Sequence, residues 1–182
     1  IDLYGQGRRG SNPEESMALM NEFNSNRVLL QERMINAFET LKNFDQVDKN
    51  KTGAIGFCFG GKCALDLARS GEDIKGVVSF HGLYDAPTAS TGKQFKGTLK
   101  IDSSILILHG YDDPMATPKS MIDLADELNS KKAKWQIHAY GNVGHAFTNP
   151  EANQRENGLF YDQYADEHSW NEMKNFFSKL FL

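Results

Sequence analysis

The sequence has no basic cluster. Its 20 lysines and arginines are outnumbered by 24 aspartates and glutamates, for a net charge of −4. Lys131, Lys132 and Lys134 come closest to a cationic run, and they read as a solvated helix end. That argues against nucleic acid or an anionic membrane surface as the main partner. No apolar run approaches the roughly 18 residues needed to span a bilayer, so no membrane partner is expected. Cysteine is scarce: Cys58 and Cys63 are the only two, five positions apart on one segment and poorly placed to bridge each other. With no disulfide framework, a reducing, cytoplasmic setting is the simpler expectation. No signal peptide is read in these residues, which open without Met, and they hold no internal repeat and no low-complexity tract. The five histidines show no H-x-x-x-H or similar spacing, so neither a metal nor a cofactor is expected.

What remains is an ordinary globular composition, 40% hydrophobic and 24% charged, in 182 residues, which suits one α/β domain over 1–182. The chain opens without Met on Ile1-Asp2-Leu3-Tyr4, which reads as the end of a buried strand. In "GQGRRGSNPEES", Asn12 fits a helix N-cap, Pro13 the first helical position and Glu15 the capping-box partner. A longer helix is expected over about 25–44, with Leu30, Met34, Ala37, Phe38 and Leu41 on one face. The strands "AIGFC", "IKGVVSFHG", "SILILHG" and "KWQIHAY" then alternate with helices that start near Gly60, Pro118 and Asp162, and a long loop fills "LYDAPTASTGKQFKGTLKIDS". Alternation of this kind means a mainly parallel sheet with helices on both faces. In such sheets the chemistry gathers at the carboxyl ends of the strands.

Three strand ends carry reactive residues. Cys58 lies between Gly56 and Gly60, the G-x-nucleophile-x-G spacing of a nucleophile elbow with Cys in place of Ser. Side chains at the two flanking positions would collide where the chain turns, and the turn aims the Phe59 N–H, at a helix start, where an oxyanion would form. The bland alternative is that Cys58 is a small buried hydrophobe, as Cys63 is expected to be. Asp112 and Asp113 follow "SILILHG"; one acid there can orient a histidine, the other can serve the turn, and Asp113 is the favoured orienting carboxylate. His145, in the loop "GNVGHAF", can reach back over the sheet. His81 and His109 end strands and can line the same cleft, while His138 and His168 read as strand and helix residues without a catalytic part. The order Cys58, Asp113, His145 is that of the α/β-hydrolase triad, each residue just after a different strand.

Together "IDLYGQG", "GFCFGG", "HGYDDPM" and "GHAFTNP" resemble the dienelactone hydrolase family of α/β-hydrolases over nearly the whole chain. The resemblance implies the α/β-hydrolase fold, Cys58 as nucleophile, Asp113 and His145 as its partners, the Phe59 amide as oxyanion donor, and a small ester or lactone as substrate. Tyr4, Gln6, His81 and Asn149 become the substrate-pocket candidates. Dienelactone-cleaving members carry carboxylate-binding arginines where this chain has Gln6 and Asn149, so a neutral substrate is expected, with Arg8 or Arg155 as nearby substitutes. The family fold also has strands and a helix before the "DLY" segment, which supply a second oxyanion N–H and a Glu. Without them the chain is expected to be N-terminally incomplete and its sheet to have an exposed edge, which predicts association, a homodimer being the simplest form. Two rivals use the same residues differently: a redox-sensing Cys58 that has no need of Asp113, and a small-molecule binding module on an inactive hydrolase scaffold.

Overall fold

The structure is a computed structural model that describes residues 1–87 and 100–182. Two helices come first, α1 (Pro13–Asn24) and α2 (Arg27–Lys42). Four strands follow, β1 (Gly53–Phe57), β2 (Gly76–Phe80), β3 (Ser104–Gly110) and β4 (Lys134–Tyr140), separated by α3 (Phe59–Arg69) after β1 and α4 (Pro118–Ser130) after β3. A short pair, β5 (Asn153–Gln154) and β6 (Leu159–Phe160), leads into α5 (Gln163–Leu180). The order in the main sheet is β1-β2-β3-β4, and all four strands are parallel, the direction that the alternation of strand and helix patterns predicts. Part of the expected long loop, 88–99, lies outside the described residues. No helix among the described residues is long and apolar enough to cross a membrane.

The central strands β2 and β3 are buried on both faces, and alternate residues feed two cores. Val77, Ile105 and Ile107 pack with α2, α3 and α4 on one face. Val78, Phe80, Leu106 and Leu108 pack under Ala165 and Met173 of α5 on the other. Buried charges bind the first layer together. Arg27 of α2 holds Asp66 of α3 through two bonds of 2.7 Å, and Arg69 of α3 holds Glu127 of α4 at 2.6 and 2.9 Å. Removing one member would strand its partner charge in the core, which is far more damaging than the net worth of the pair.

The caps follow the sequence with one shift. Asn12 caps α1 by accepting from the Glu15 N–H, but Glu15 reaches back to the N–H and hydroxyl of Ser11 rather than to Asn12. The opening segment departs further: Ile1–Tyr4 is no strand. The Asp2 carboxylate accepts from the Gly5 and Gly7 N–H groups at 2.9 and 2.8 Å, which curls the segment into a turn. β1 is therefore the edge of the described sheet, and a groove of about 530 Å³ lies beside it between Met34, Phe38, Leu41, Phe44 and Ile55, away from the reactive strand ends.

Candidate active site

β1 ends in a sharp turn. Cys58 has φ 53° and ψ −121°, a left-handed conformation that a side chain adopts only under constraint. Its N–H donates to the Phe80 carbonyl of β2, and its own carbonyl caps α3 by accepting from Gly61. A Cβ on Gly56 would stand 2.0 Å from the Gly60 carbonyl oxygen, so glycine is required there. Gly60 is different from expectation: a Cβ on it meets nothing within 4 Å. The second close approach belongs to Gly61, where a Cβ would come within 2.3 Å of Ser79 Oγ and 2.9 Å of the Gly82 backbone. The chain crosses itself one residue later than the G-x-C-x-G spacing suggests. Phe59 is the first residue of α3, so its N–H has no acceptor within the helix and points from a positive helix end.

The turn after β3 places Asp113 and not Asp112 at the centre. Asp112 is exposed, whereas Asp113 is buried and fully engaged. Its Oδ1 accepts from the N–H groups of Met115 and Ala116 at 2.8 and 3.1 Å, and its Oδ2 accepts from His145 Nδ1–H at 2.7 Å. His145 is anchored by its backbone, donating to the Gly158 carbonyl and accepting from Phe160. The next residue, Ala146, takes φ 60° and swings the loop over the sheet. Burial alone would lower the His145 pKa, but the Asp113 bond and the neighbouring Cys58 thiol outweigh it and push it up to about 9. Cys58, Asp113 and His145 thus meet, from three strand ends, at one point above the sheet.

The other expected residues divide. His81, at the end of β2, is buried with its ring edge-to-face against His145, centroids 5.0 Å apart. Tyr4 packs on Phe23, and burial, then the thiols of Cys63 and Cys58, raise its phenol pKa, which places it on the Cys58 side. Gln6 is exposed in the opening turn, and the Asn149 side-chain oxygen accepts from the Glu151 N–H; among the described residues no hydrogen bond or ring contact joins either to Cys58, Asp113 or His145. Arg8 is turned away to the Tyr4 carbonyl and Glu22, and Arg155 lies 3.8 Å over the Phe160 ring. His109 does not line the cleft as expected: it is sealed in the core with Nδ1 on the Tyr84 hydroxyl at 3.0 Å, because alternation on β3 puts it on the face of Ile105 and Ile107. Thr148 and Phe147, which pack around His81, carry no mark in the sequence beyond following His145.

The dienelactone hydrolase family model matches residues 1–181. The chain belongs to this family. A dienelactone hydrolase-like promiscuous phosphotriesterase from metagenomic libraries superposes with a TM-score of 0.80 at 35% identity, over 93% of this chain and 69% of that one. The structure named m3DLH superposes with a TM-score of 0.86 at 31% identity, over 98% of this chain and 72% of that one. An uncharacterized protein of Caenorhabditis elegans is 34% identical over 154 residues, 84% of this chain and 94% of its own length. A putative carboxymethylenebutenolidase of Salmonella typhimurium is 24% identical over 134 residues, and there the match spans only 47% of the relative. The fold is that of the α/β-hydrolases, and the chain is a hydrolase of the dienelactone hydrolase type.

Proposed function

We propose that this dienelactone hydrolase-like protein cleaves small neutral esters or lactones through a Cys58–His145–Asp113 triad and an acyl-cysteine intermediate. One observation carries the reading: a buried 2.7 Å bond fixes His145 Nδ1 on Asp113 and leaves Nε2 for the Cys58 thiol at the elbow. The proton of the thiol passes to Nε2, and the sulfur attacks the carbonyl carbon. The Phe59 N–H meets the oxyanion. The C–O bond to the alcohol then breaks, and His145 returns its proton to the leaving oxygen. A water, deprotonated by His145, cleaves the thioester and releases the acid. With its pKa pushed up to about 9, His145 keeps the proton it receives from Cys58, so the acid for the leaving group is in place.

Neutral substrates are favoured by where the cations go. The nearby Arg8 and Arg155 are committed to Glu22 and to Phe160, and Gln6 and Asn149 offer no charge. A phosphotriester is also a neutral ester, so it belongs in the substrate panel beside carboxylic esters. The redox reading is weaker because it gives no part to Asp113, whose two oxygens are both engaged around His145. The test is initial rates on p-nitrophenyl acetate, with Cys63→Ala as control and the acyl-enzyme sought by intact mass. Loss of turnover and adduct in Cys58→Ala alone is the expected result. Equal activity in parent and Cys58→Ala would sink the triad.

A further inference from the structure

His145 is held by a hydrogen bond on one side only. Nδ1 is fixed by Asp113, while Nε2 is buried with no partner other than the Cys58 thiol beside it. One hydrogen bond tolerates some tilt of the ring about its Cβ–Cγ bond, and tilting moves Nε2 relative to Cys58. Packing must therefore hold it, and among the described residues the aromatic neighbour of His145 is His81. His81 is itself over-determined. It sits at φ 36°, its N–H donates to the Leu108 carbonyl at 2.8 Å, its Nε2 is bonded to Thr148 Oγ1 at 2.8 Å, and its ring meets Phe147 edge-on at 5.1 Å and Phe57 at 6.0 Å. It is only 4% exposed, and its Nδ1 is sealed without a partner. Packing alone would be served better by Phe, which leaves no orphaned nitrogen; a strained, partly unsatisfied histidine at such a point calls for a functional reason.

We propose that His81 is the positioning residue of the base His145: its ring, packed edge-to-face, blocks tilting of the imidazole, and its bond to Thr148 ties the loop that carries His145 to the end of β2. The ionisable groups facing it are His145 and Asp113. Burial, then the proximity of His145, push the His81 pKa down to about 3, so the prop adds no charge beside the base. The inference rests on the triad proposed above.

The test reads the Cys58–His145 contact without needing a substrate. The rate of Cys58 alkylation by iodoacetamide is followed against pH in the Cys63→Ala background, beside kcat and KM on p-nitrophenyl acetate. His81→Ala should lower kcat roughly 10- to 100-fold with KM little changed, the mark of a misplaced base. Its alkylation profile should move by about one pH unit or more towards that of a free thiol. His81→Phe, which keeps the ring, should stay nearer the parent profile than His81→Asn, which keeps only a polar group. An alkylation profile in His81→Ala that overlays the parent overturns the proposal, even if activity falls. If His81→Ala does not fold, the order of Phe and Asn decides, and Asn nearer the parent overturns it. If His145→Ala leaves the parent profile unmoved, the triad itself fails, and that outcome is distinct because it does not involve His81.

Discussion

The carboxyl ends of the strands and the outer flank of β1 treat burial in opposite ways. At the strand ends, ionisable groups are inside: Asp113 and His145 are each 2% exposed. Along β1, apolar groups are outside: Ile55 is 45%, Phe57 40% and Phe44 56% exposed. Both arrangements oppose folding, the first through desolvation of polar atoms and the second through hydration of apolar ones. The first is compensated within the molecule, since Asp113 takes two backbone N–H groups and the His145 imidazole. The second has little beyond the stack of Phe57 on Phe80. A polar cluster that meets its own needs is organised for chemistry, whereas an apolar strand edge is the kind of surface that associates.

The sharpest way to break this contrast is Asp113→Asn. Asn keeps an oxygen for the Met115 and Ala116 N–H groups, so the turn survives. It then presents NH₂ to His145 Nδ1, which forces the tautomer that leaves Nε2 protonated and unable to accept from Cys58. Turnover of p-nitrophenyl acetate should fall by roughly 10⁴-fold, as expected when the orienting acid of such a triad is lost, while the melting temperature changes little. A fall in kcat of less than about tenfold would mean the buried acid serves structure and not the chemistry.

The two regions also differ in how far the sequence revealed them. The parallel strands, the helix faces and the placing of Cys58, Asp113 and His145 just after strand ends follow from local signals, because periodicity and turn chemistry act within a few residues. Gly61 was hidden behind Gly60: the elbow spacing names positions relative to Cys58, but the collision with Ser79 and Gly82 depends on how closely β2 passes. His109 and Asp66 were hidden for the same reason. Whether a polar residue is sealed or solvated is set by elements distant in the chain, as with Arg27, 39 residues from the Asp66 it holds. The turn at Ile1–Tyr4 reads as a strand because its apolar residues fit one, yet a strand exists only where a neighbour completes its ladder.

A gentler probe of the polar end is pH. The His145 pKa is raised in the folded state to about 9 from 6.5, so its contribution to stability is complete below about pH 6.5 and lost as pH climbs through 9. His81 has the opposite sign: its folded pKa is depressed to about 3, so its contribution is present above about pH 6.5 and lost as pH falls towards 3. His109, also lowered mainly by burial, adds to the acid side. Urea unfolding across pH 4–10 should therefore show a maximum near pH 6.5 to 7. His145→Asn should flatten the alkaline slope and His81→Phe should reduce the acid one. An alkaline slope unchanged in His145→Asn would show that the proton is not held as the geometry implies.

The smallest effect on the folded chain is expected at the other region. Ile55 lies in register with Val78, so its side chain is on the α5 face, and it is the middle residue of β1. Replacing it with Lys puts a charge on the free edge, the device by which sheets resist edge pairing. A half-exposed side chain contributes little to the core, so stability should change by about 0.5 kcal/mol or less, and kcat per molecule should match the parent because Ile55 touches none of the triad. Association is what should respond. Sedimentation velocity over a concentration series should find the parent partly dimeric or larger, and Ile55→Lys shifted towards monomer. If the parent is monomeric throughout, or the variant associates as strongly, the β1 flank is not where copies meet, and its apolar exposure must be met in some way other than self-pairing.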